Sequence, residues 1–330
     1  MTESNRLVTI FGGSGFLGRH VAHELARRGW RIRIATRRPD LAYYTQPSGR
    51  VGQIMPVQAN LRYPESIAPA LQHADAVVNL VGILRQRGKQ SFDAVHHLGA
   101  RALAEAAKGA GIKNLVHVSA LGADLNSPSL YARSKAAGEA AVLDVIADAT
   151  ILRPSVVFGP EDEFFNRFAA MARYLPALPL IGGGKTKLQP VYVGDVAEAV
   201  ALGLEGEAQS GKIYELGGPD IASLKEIMRF VLQATERKRL LLPLPFPLAL
   251  IVGGVTEIAM AASFGFFPPL LEITRDQVQL LRRDNVVSQQ AQAEGRTLAG
   301  LEIAPESYHA LVPAFLARYR KTGRFTDQLA

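Results

Sequence analysis

Gly12-Gly13-Ser14-Gly15-Phe16-Leu17-Gly18 is the stretch that decides the fold of this chain of 330 residues. It directly follows the apolar run Leu7–Phe11 and opens Phe16–Arg28, in which apolar residues recur at helical spacing. The first glycine permits a tight turn, the second lets a ligand approach the backbone, and the third lets the helix pack on the strand. Because the first N–H groups of a helix lack intrahelical partners, the loop predicts a site for a dinucleotide diphosphate.

Beyond this loop, short β-branched runs alternate with longer segments of helical period, which is the pattern of a parallel sheet with crossover helices. The predicted strands are Leu7–Phe11, Arg31–Thr36, Gln53–Val57, Ala76–Val81, Leu115–Ser119 and Thr150–Leu152, and the predicted helices are Phe16–Arg28, Glu65–Gln72, Phe92–Ala110 and Leu130–Ile146. The sequence therefore predicts an α/β fold, a doubly wound parallel sheet of the Rossmann type with a smaller C-terminal α/β subdomain.

Past Arg153 the alternation becomes irregular. We predict a helix at Phe164–Arg173, a loop rich in proline and glycine at Leu175–Gly184, a strand at Pro190–Val193 and a helix at Val196–Leu204. We expect the dinucleotide-binding domain at residues 1–155, with residues 190–220 returning to it. Residues 156–330 are expected to form the smaller substrate or docking subdomain.

Residues 240–271 are strongly apolar, and Glu257 is their only charged residue. The segment is long enough to cross a membrane, but prolines at both ends and the pair Gly253-Gly254 argue against a regular transmembrane helix. Two interpretations remain. The segment is a helix docked on a partner or on a membrane surface, or it closes the core of its own subdomain.

The amino-acid composition excludes several kinds of site and favours one kind of partner. The chain has no cysteine, which excludes disulfides, iron–sulfur clusters and cysteine nucleophiles. Its seven histidines show no metal-ligand spacing, so we predict no metal site and interpret the histidines as packing or surface residues. A net charge of +7 suggests an anionic partner such as nucleotide phosphates or acidic lipid. No nucleic-acid recognition motif is present, and we expect no nucleic-acid partner.

The end of the second predicted strand indicates which nucleotide binds. An NAD site uses Asp or Glu there to accept hydrogen bonds from the ribose 2′-hydroxyl. This chain has Arg37 and Arg38 instead. Because guanidinium groups suit a 2′-phosphate, the sequence predicts NADP(H) as the cofactor.

A tyrosine and a lysine mark the helix after the fifth strand. Tyr131 and Lys135 are four residues apart and share one helical face, where a lysine can bind ribose hydroxyls and lower the pKa of the phenol. They are candidate catalytic residues together with Ser119, the only serine at the end of the fifth strand. Ser127 and Ser129 could take its place if their loop folds inward.

The sequences GGSGFLG, YARSK and RPSVVFGP, the last at Arg153–Pro160, together resemble the extended or atypical short-chain dehydrogenase/reductases. In that superfamily the tyrosine transfers a proton, the lysine holds the ribose, and a serine or threonine just after strand five polarises the carbonyl. Here Ala120 and Leu121 follow Ser119, so whether the chain is an enzyme stays open. The candidate cofactor contacts are the loop residues Gly12, Ser14, Gly15, Phe16, Leu17 and Gly18, the arginines, Asn60, Leu61, Val81, Gly82, Ser119, Tyr131, Lys135, Pro154 and Val156. Related proteins generally carry an aspartate at the position of Asn60, beside the adenine.

A second resemblance covers more of the chain. The stretches Phe158–Phe168, Gln189–Val193, Leu242–Leu250 and Ile273–Val278 are similar, in this order, to the nucleotide-binding accessory subunits of respiratory complex I, the NADH:ubiquinone oxidoreductase. The resemblance implies a firmly held NADPH that is mainly structural, and a role in assembly or stability. It implies other complex I subunits and the membrane surface with its acidic lipid as partners, near the membrane-arm junction.

Mitochondrial members of that group carry a presequence, for which Met1–Arg6 leaves no room. We therefore expect a bacterial protein, peripheral on the cytoplasmic face of the inner membrane. Two other functions stay open at this point. One is an NADP-dependent reductase or epimerase-like enzyme acting on a small hydrophobic or nucleotide-linked substrate, and the other is an NADP-sensing regulatory module.

Overall fold

The computed structural model describes residues 6–263, 267–321 and 323. The strands are β1 (Leu7–Phe11), β2 (Arg31–Thr36), β3 (Ile54–Gln58), β4 (Ala76–Asn79), β5 (Asn114–Val118), β6 (Thr150–Pro154), β7 (Val157–Phe158), β8 (Ala177–Ile181), β9 (Lys187–Leu188), β10 (Val191–Tyr192), β11 (Ile213–Leu216), β12 (Ala222–Ser223) and β13 (Leu240–Leu244). The α-helices are α1 (Phe16–Arg27), α2 (Ile67–Ala70), α3 (Leu98–Gly109), α4 (Leu130–Val145), α5 (Phe165–Tyr174), α6 (Val193–Glu205), α7 (Leu224–Ala234), α8 (Phe246–Ala262), α9 (Arg275–Leu280), α10 (Gln289–Ala293) and α11 (Tyr308–Leu316). Residues 1–5, on which the expectation about a presequence rests, and residues 264–266 of the apolar segment lie outside the described residues.

Seven parallel strands form the main sheet in the order β11-β6-β5-β4-β1-β2-β3. Phe11 at the end of β1 is in register with Ala35 of β2 and Asn79 of β4, so these three strands end at one level. The strand order reverses beside β1, and ligands of such sheets bind at the carboxyl ends of the strands at this point. The predicted doubly wound Rossmann-type sheet is confirmed.

The sheet is covered on both faces. Leu115 of β5 belongs to a buried cluster with residues of α3 and α4, while its neighbour Val116 points to the opposite face and lies against Gly203 of α6. Helices α1 and α6 pack against each other. Because both faces are covered, the central strand β1 is a mainly apolar run and every residue of β4 is buried, whereas β2 and β3 toward the edge carry exposed residues.

Three predicted elements were wrong in detail. Leu175–Gly184 is not a loop, because β8 pairs in parallel with β13. Pro179 and Pro243 fit this two-stranded ladder because alternate N–H groups in it need no partner. The predicted helix Glu65–Gln72 is a 3₁₀ turn at Pro64–Ser66 followed by the short α2. The predicted helix Phe92–Ala110 begins with a π-helical turn at Asp93–His97 and continues as α3.

The chain divides into two compact units. The first consists of Met1–Pro154, Val193–Leu216 and Val287–Ala304, and it contains the seven-stranded sheet. The second consists of Ser155–Tyr192, Gly217–Val286 and Pro305–Ala330. Its core joins the aromatic rings of Phe158, Phe165 and Tyr308 to apolar side chains of α5, α7 and α11. The sequence did not predict that residues 287–304 would return to the first unit.

The apolar segment forms β13 and α8 in the second unit. Ala249 of α8 is fully buried, and Gly253 lies so close to Arg275 that a Cβ there would stand 2.9 Å from the Arg275 nitrogen. The opposite face of α8 exposes four large apolar side chains that are 49% to 69% accessible, Leu248, Ile251, Val255 and Ile258, which we call the apolar stripe. Within the described residues, no helix has both the length and the apolar character to cross a membrane.

Candidate functional site

The glycine loop forms a tight turn between β1 and α1. Gly12 has a φ of +84°, and a Cβ on it would lie 3.0 Å from the carbonyl carbon of Leu80. A Cβ on Gly18 would stand 2.3 Å from the Gly12 oxygen, so only glycine fits between loop and helix. Gly15 is the N-cap of α1 and supplies no side-chain cap. The N–H groups of the first turn of α1 are therefore left for an anion.

The end of β2 lies beside this loop and carries both predicted arginines. Ser14 Oγ donates a hydrogen bond to Thr36 Oγ1 at 3.3 Å, and the Tyr44 hydroxyl donates to the Ser14 carbonyl. Arg38 is ion-paired with Asp40 at 2.8 Å, and its hydrogen bond lowers the pKa of that carboxyl. Arg37 instead donates from Nη1 to Oε1 of Gln90 at 3.0 Å. The two arginines thus have different partners, which the sequence did not reveal.

Asn60 and Leu61 follow β3 at the same edge of the sheet. Asn60 Oδ1 accepts the N–H of Arg62 at 3.2 Å, which fixes the turn and uses only the acceptor side of the amide. Leu61 is buried and packs beside Gly99 of α3. This arrangement keeps the Asn60 amide at the edge where the adenine contact is expected.

Lys135 lies on α4 and is buried in the first unit. Its Nζ donates to the Val118 carbonyl at 3.2 Å. A Cβ on Gly82 would lie 3.4 Å from Lys135 Nζ. The Val81 N–H, one residue earlier, donates to Asn79 Oδ1 at 3.1 Å. Burial lowers the pKa of Lys135 to about 8. The structure thus brings together Lys135 and Gly82, which the sequence predicted on different elements.

Two buried histidines, for which the sequence predicted only packing or surface positions, interact electrostatically with this lysine. His96 Nε2 accepts the N–H of Ile83 at 3.0 Å, so its Nδ1 carries the proton toward Ser134 Oγ at 2.9 Å. His117 Nδ1 accepts from the Asn79 amide at 3.0 Å. Burial, followed by the charge of Lys135, lowers the pKa of each histidine to about 3. Both are therefore neutral at physiological pH.

Tyr131 is the second residue of α4 and lies one turn before Lys135. Its ring meets His96 edge to face at 5.4 Å between centroids and meets Phe92 edge to face at 5.7 Å. Phe92 in turn stacks on His96. The π-helical turn that contains His96 has no counterpart in the hydrophobic periodicity, which explains why the sequence missed this contact.

Two of the candidate serines near Tyr131 accept hydrogen bonds from backbone N–H groups of their own segment. Ser129 Oγ caps α4 by accepting the N–H of Ala132 at 3.2 Å, and Ser127 Oγ accepts the N–H of Ser129 at 3.2 Å. Ser119 is 4% exposed, and its Oγ has no hydrogen-bond partner within the described part of the chain. The second residue after it is the apolar Leu121, also buried. Ser119 directly follows β5, which ends one residue earlier than predicted, and neither Ala120 nor Leu121 after it adds a second hydroxyl.

The last two predicted contacts fall in different units. Pro154 ends β6, and its carbonyl accepts the N–H of Leu121 at 2.8 Å. Val156 lies in the second unit, where its carbonyl accepts the N–H of Val191 at 3.0 Å. Among the described residues, no three histidine or carboxylate side chains are grouped to hold a metal ion.

The residues of the first unit fit a dinucleotide at one edge of the sheet. The uncapped N-terminus of α1 suits a diphosphate, and Lys135 beside Gly82 suits ribose hydroxyls. Arg37 lies at the end of β2, where the 2′ position of the adenosine ribose falls in this fold. The chain's own residues would thus bind and orient the nucleotide, which would supply any hydride chemistry.

Comparisons with known proteins agree with this geometry. The NAD dependent epimerase/dehydratase family matches residues 8–217. The mitochondrial NADH dehydrogenase [ubiquinone] 1 alpha subcomplex subunit 9 of Arabidopsis thaliana is 35% identical, over 97% of this chain and 79% of the relative. The ceramide reductase of Caulobacter vibrioides is 32% identical over 78% of this chain and 79% of its own length.

The crystal structure of gox2253 resembles the whole chain. Its TM-score is 0.71 at 26% sequence identity, and the match covers 97% of this chain and 99% of that chain. The family match covers more than half of the chain, and two relatives exceed 30% identity over most of their length. The resemblances found in the sequence are thus confirmed. The chain belongs to the NAD dependent epimerase/dehydratase family, and within it to the group that includes the NADH dehydrogenase alpha subcomplex subunit 9 proteins.

Proposed function

We propose that this chain is an accessory subunit of respiratory complex I that holds NADP(H) as a mainly structural ligand. The observation that carries the proposal is the relation to alpha subcomplex subunit 9, which extends over 97% of the chain. A relation of that extent includes the second unit and α8, and not only the nucleotide fold. Assembly or stability of the complex is the proposed role.

NADP(H) is the proposed nucleotide because the end of β2 presents guanidinium groups. The nearest carboxylate that follows, Asp40, is held by Arg38 and so does not act as the ribose acceptor of an NAD site. Arg37 donates a hydrogen bond to the neutral amide of Gln90, and a 2′-phosphate is a stronger acceptor than that amide.

The surroundings of Tyr131 support the proposed structural role of the nucleotide. The tyrosine and Lys135 are both present on α4, but Leu121 occupies the region where the superfamily places its carbonyl-polarising hydroxyl. The Ser119 hydroxyl, two residues earlier, is buried. A site that binds the nucleotide but lacks this group would stabilise the transition state of carbonyl reduction less well, which favours a structural over a catalytic role for the ligand.

The apolar stripe of α8 is the proposed docking face. Four neighbouring exposed aliphatic side chains are unusual on a soluble surface and mark an interaction site. We propose that this face docks on other complex I subunits near the membrane-arm junction. The excess positive charge of the chain suits the acidic lipid expected there, at the cytoplasmic face of a bacterial inner membrane.

Placing charge on the stripe tests this function. The variant Ile251→Glu/Ile258→Glu is expected to lower comigration with complex I on native gels, after gentle detergent extraction, by roughly tenfold or more, because two carboxylates would be buried unpaired. Ile221→Glu, at an exposed aliphatic residue outside the stripe, is the matched control and should comigrate normally. Wild-type protein that migrates only as a free species would contradict the proposed function.

A reductase is the second candidate, favoured by the intact Tyr131–Lys135 pair and by the relation to the Caulobacter ceramide reductase. If the chain reduces a hydrophobic ketone, Tyr131→Phe should lower turnover by roughly 100-fold or more, because the general acid is lost. NADPH binding should stay nearly unchanged, since the ring contacts with Phe92 and His96 are kept. Turnover that survives in Tyr131→Phe would exclude this mechanism.

A further inference from the structure

A short turn follows β4 and reaches the arginine side of the nucleotide site. Arg87 and Gln90 exchange both backbone hydrogen bonds, at 3.1 and 3.0 Å, which closes a tight turn with Gly88 at a φ of +54°. Gln86 Oε1 accepts the N–H of Phe92 at 3.0 Å and anchors the returning chain. The backbone therefore fixes the position of Gln90.

Gln90 meets Arg37 from this turn. Its Oε1 accepts from Arg37 Nη1 at 3.0 Å, a contact between side chains 53 residues apart in sequence. The hydrogen bond uses the acceptor end of the amide, whose NH₂ group provides two further donors. One side chain can thus hold the guanidinium and still donate to an anion beside it.

Arg38 provides a comparison within the same segment. Its partner Asp40 is a carboxylate, which neutralises the guanidinium and competes with any phosphate for its N–H groups. The amide of Gln90 restricts the rotamers of Arg37 without removing its charge. The geometry therefore keeps one guanidinium oriented and positively charged at the end of β2.

We infer that Gln90 is a positioning residue that orients Arg37 for the 2′-phosphate and so contributes to the preference for NADPH over NADH. The inference rests on the proposed NADP(H) site. Gln90 acts through Arg37, and its NH₂ group stays available as a donor beside the same phosphate. It has no such role toward NADH, whose ribose has only a 2′-hydroxyl.

Dissociation constants of NADPH and NADH test this inference, measured by titration of the full-length, nucleotide-free protein. Gln90→Ala is expected to weaken NADPH binding roughly 3- to 10-fold and to leave NADH within about twofold, as for loss of one hydrogen-bonding partner. Gln90→Glu should weaken NADPH more than about tenfold, because a carboxylate would pair with Arg37 and repel the phosphate. The exposed Gln72, changed in the same two ways, is the matched control.

The ratio of the two constants separates the outcomes. If Gln90→Ala weakens both nucleotides equally, Gln90 only shapes the turn, and the inference is wrong. If the wild type prefers NADPH and both Gln90 variants keep that preference, the inference fails while the NADP(H) site stands. If the wild type itself binds NADH as tightly as NADPH, the proposed cofactor fails, and the role of Gln90 fails with it.

Discussion

Replacing Lys135 with methionine is expected to raise the free energy of unfolding of the nucleotide-free protein by roughly 1 to 3 kcal/mol at pH 7, which is the cost of burying the charge less the value of the lost hydrogen bond to the Val118 carbonyl. The lysine is 5% exposed, and burial lowers its pKa to about 8 from its ordinary 10.5. Methionine fills a similar volume and carries no charge to desolvate. Lys135, a residue of the candidate site, is thus expected to lower the stability of the fold that contains it.

The pH dependence of this effect has a definite sign. Below pH 8 the lysine is protonated in both states, so the cost of burying its charge is fully present. Between pH 8 and 10.5 the unfolded chain holds a proton that the folded chain has released, so the stability of the wild type rises with pH in that window. The advantage of Lys135→Met should accordingly shrink toward pH 10.

Urea denaturation of both proteins at several pH values between 7 and 10 measures this difference. Lys113→Met, at an exposed lysine of the same unit, is the control and should change stability little at any of them. A Lys135 variant less stable than the wild type at pH 7 would contradict the prediction. The variant should also bind NADPH more weakly, since the proposed ribose contact is lost. A stabilised variant that binds poorly would show that the lysine is kept for the ligand.

Elements with strong local patterns were predictable from the sequence. The bounds of β1 and β2 agree with the prediction at both ends, because β1 is a mainly apolar run closed by a glycine turn and β2 is a short run with β-branched residues closed by Arg37-Arg38-Pro39. The glycine loop was equally clear, since its spacing, its strand and its helix are adjacent in sequence. Family membership was predicted from ordered motifs and is confirmed.

Elements that depend on distant partners were not predictable. Strand β8 exists because β13, more than 60 residues later, pairs with it, and a local reading of Pro179 indicates only a loop. His117 lies in β5 and His96 in the π-helical turn, and the folded chain brings both near Lys135 of α4. No spacing in the sequence indicates that these three residues interact. For the same reason Arg37 and Arg38 looked equivalent until Gln90 and Asp40 were located.

The second large effect concerns these two arginines. Arg37→Ala is expected to weaken NADPH binding roughly 10- to 100-fold, the loss that follows removal of a charged hydrogen-bond donor from a phosphate. NADH binding should change by less than about threefold, because its ribose carries no phosphate. Arg38→Ala should have a much smaller effect on NADPH, since Asp40 already occupies that guanidinium. The selectivity would then reside mainly in one of two adjacent, chemically identical side chains.

The variant Asp40→Asn tests whether the ion pair with Asp40 is the reason that Arg38 contributes less than Arg37 to NADPH binding. Loss of the carboxylate charge releases Arg38, so the variant should bind NADPH more tightly than the wild type and should partly restore binding when added to Arg37→Ala. Both changes should diminish at high ionic strength, because Arg38 and Asp40 are exposed to solvent. Titrations at two salt concentrations measure them. Equal losses in Arg37→Ala and Arg38→Ala, with no gain from Asp40→Asn, would mean that both guanidinium groups contact the phosphate and that the Arg38–Asp40 pair opens when the nucleotide binds.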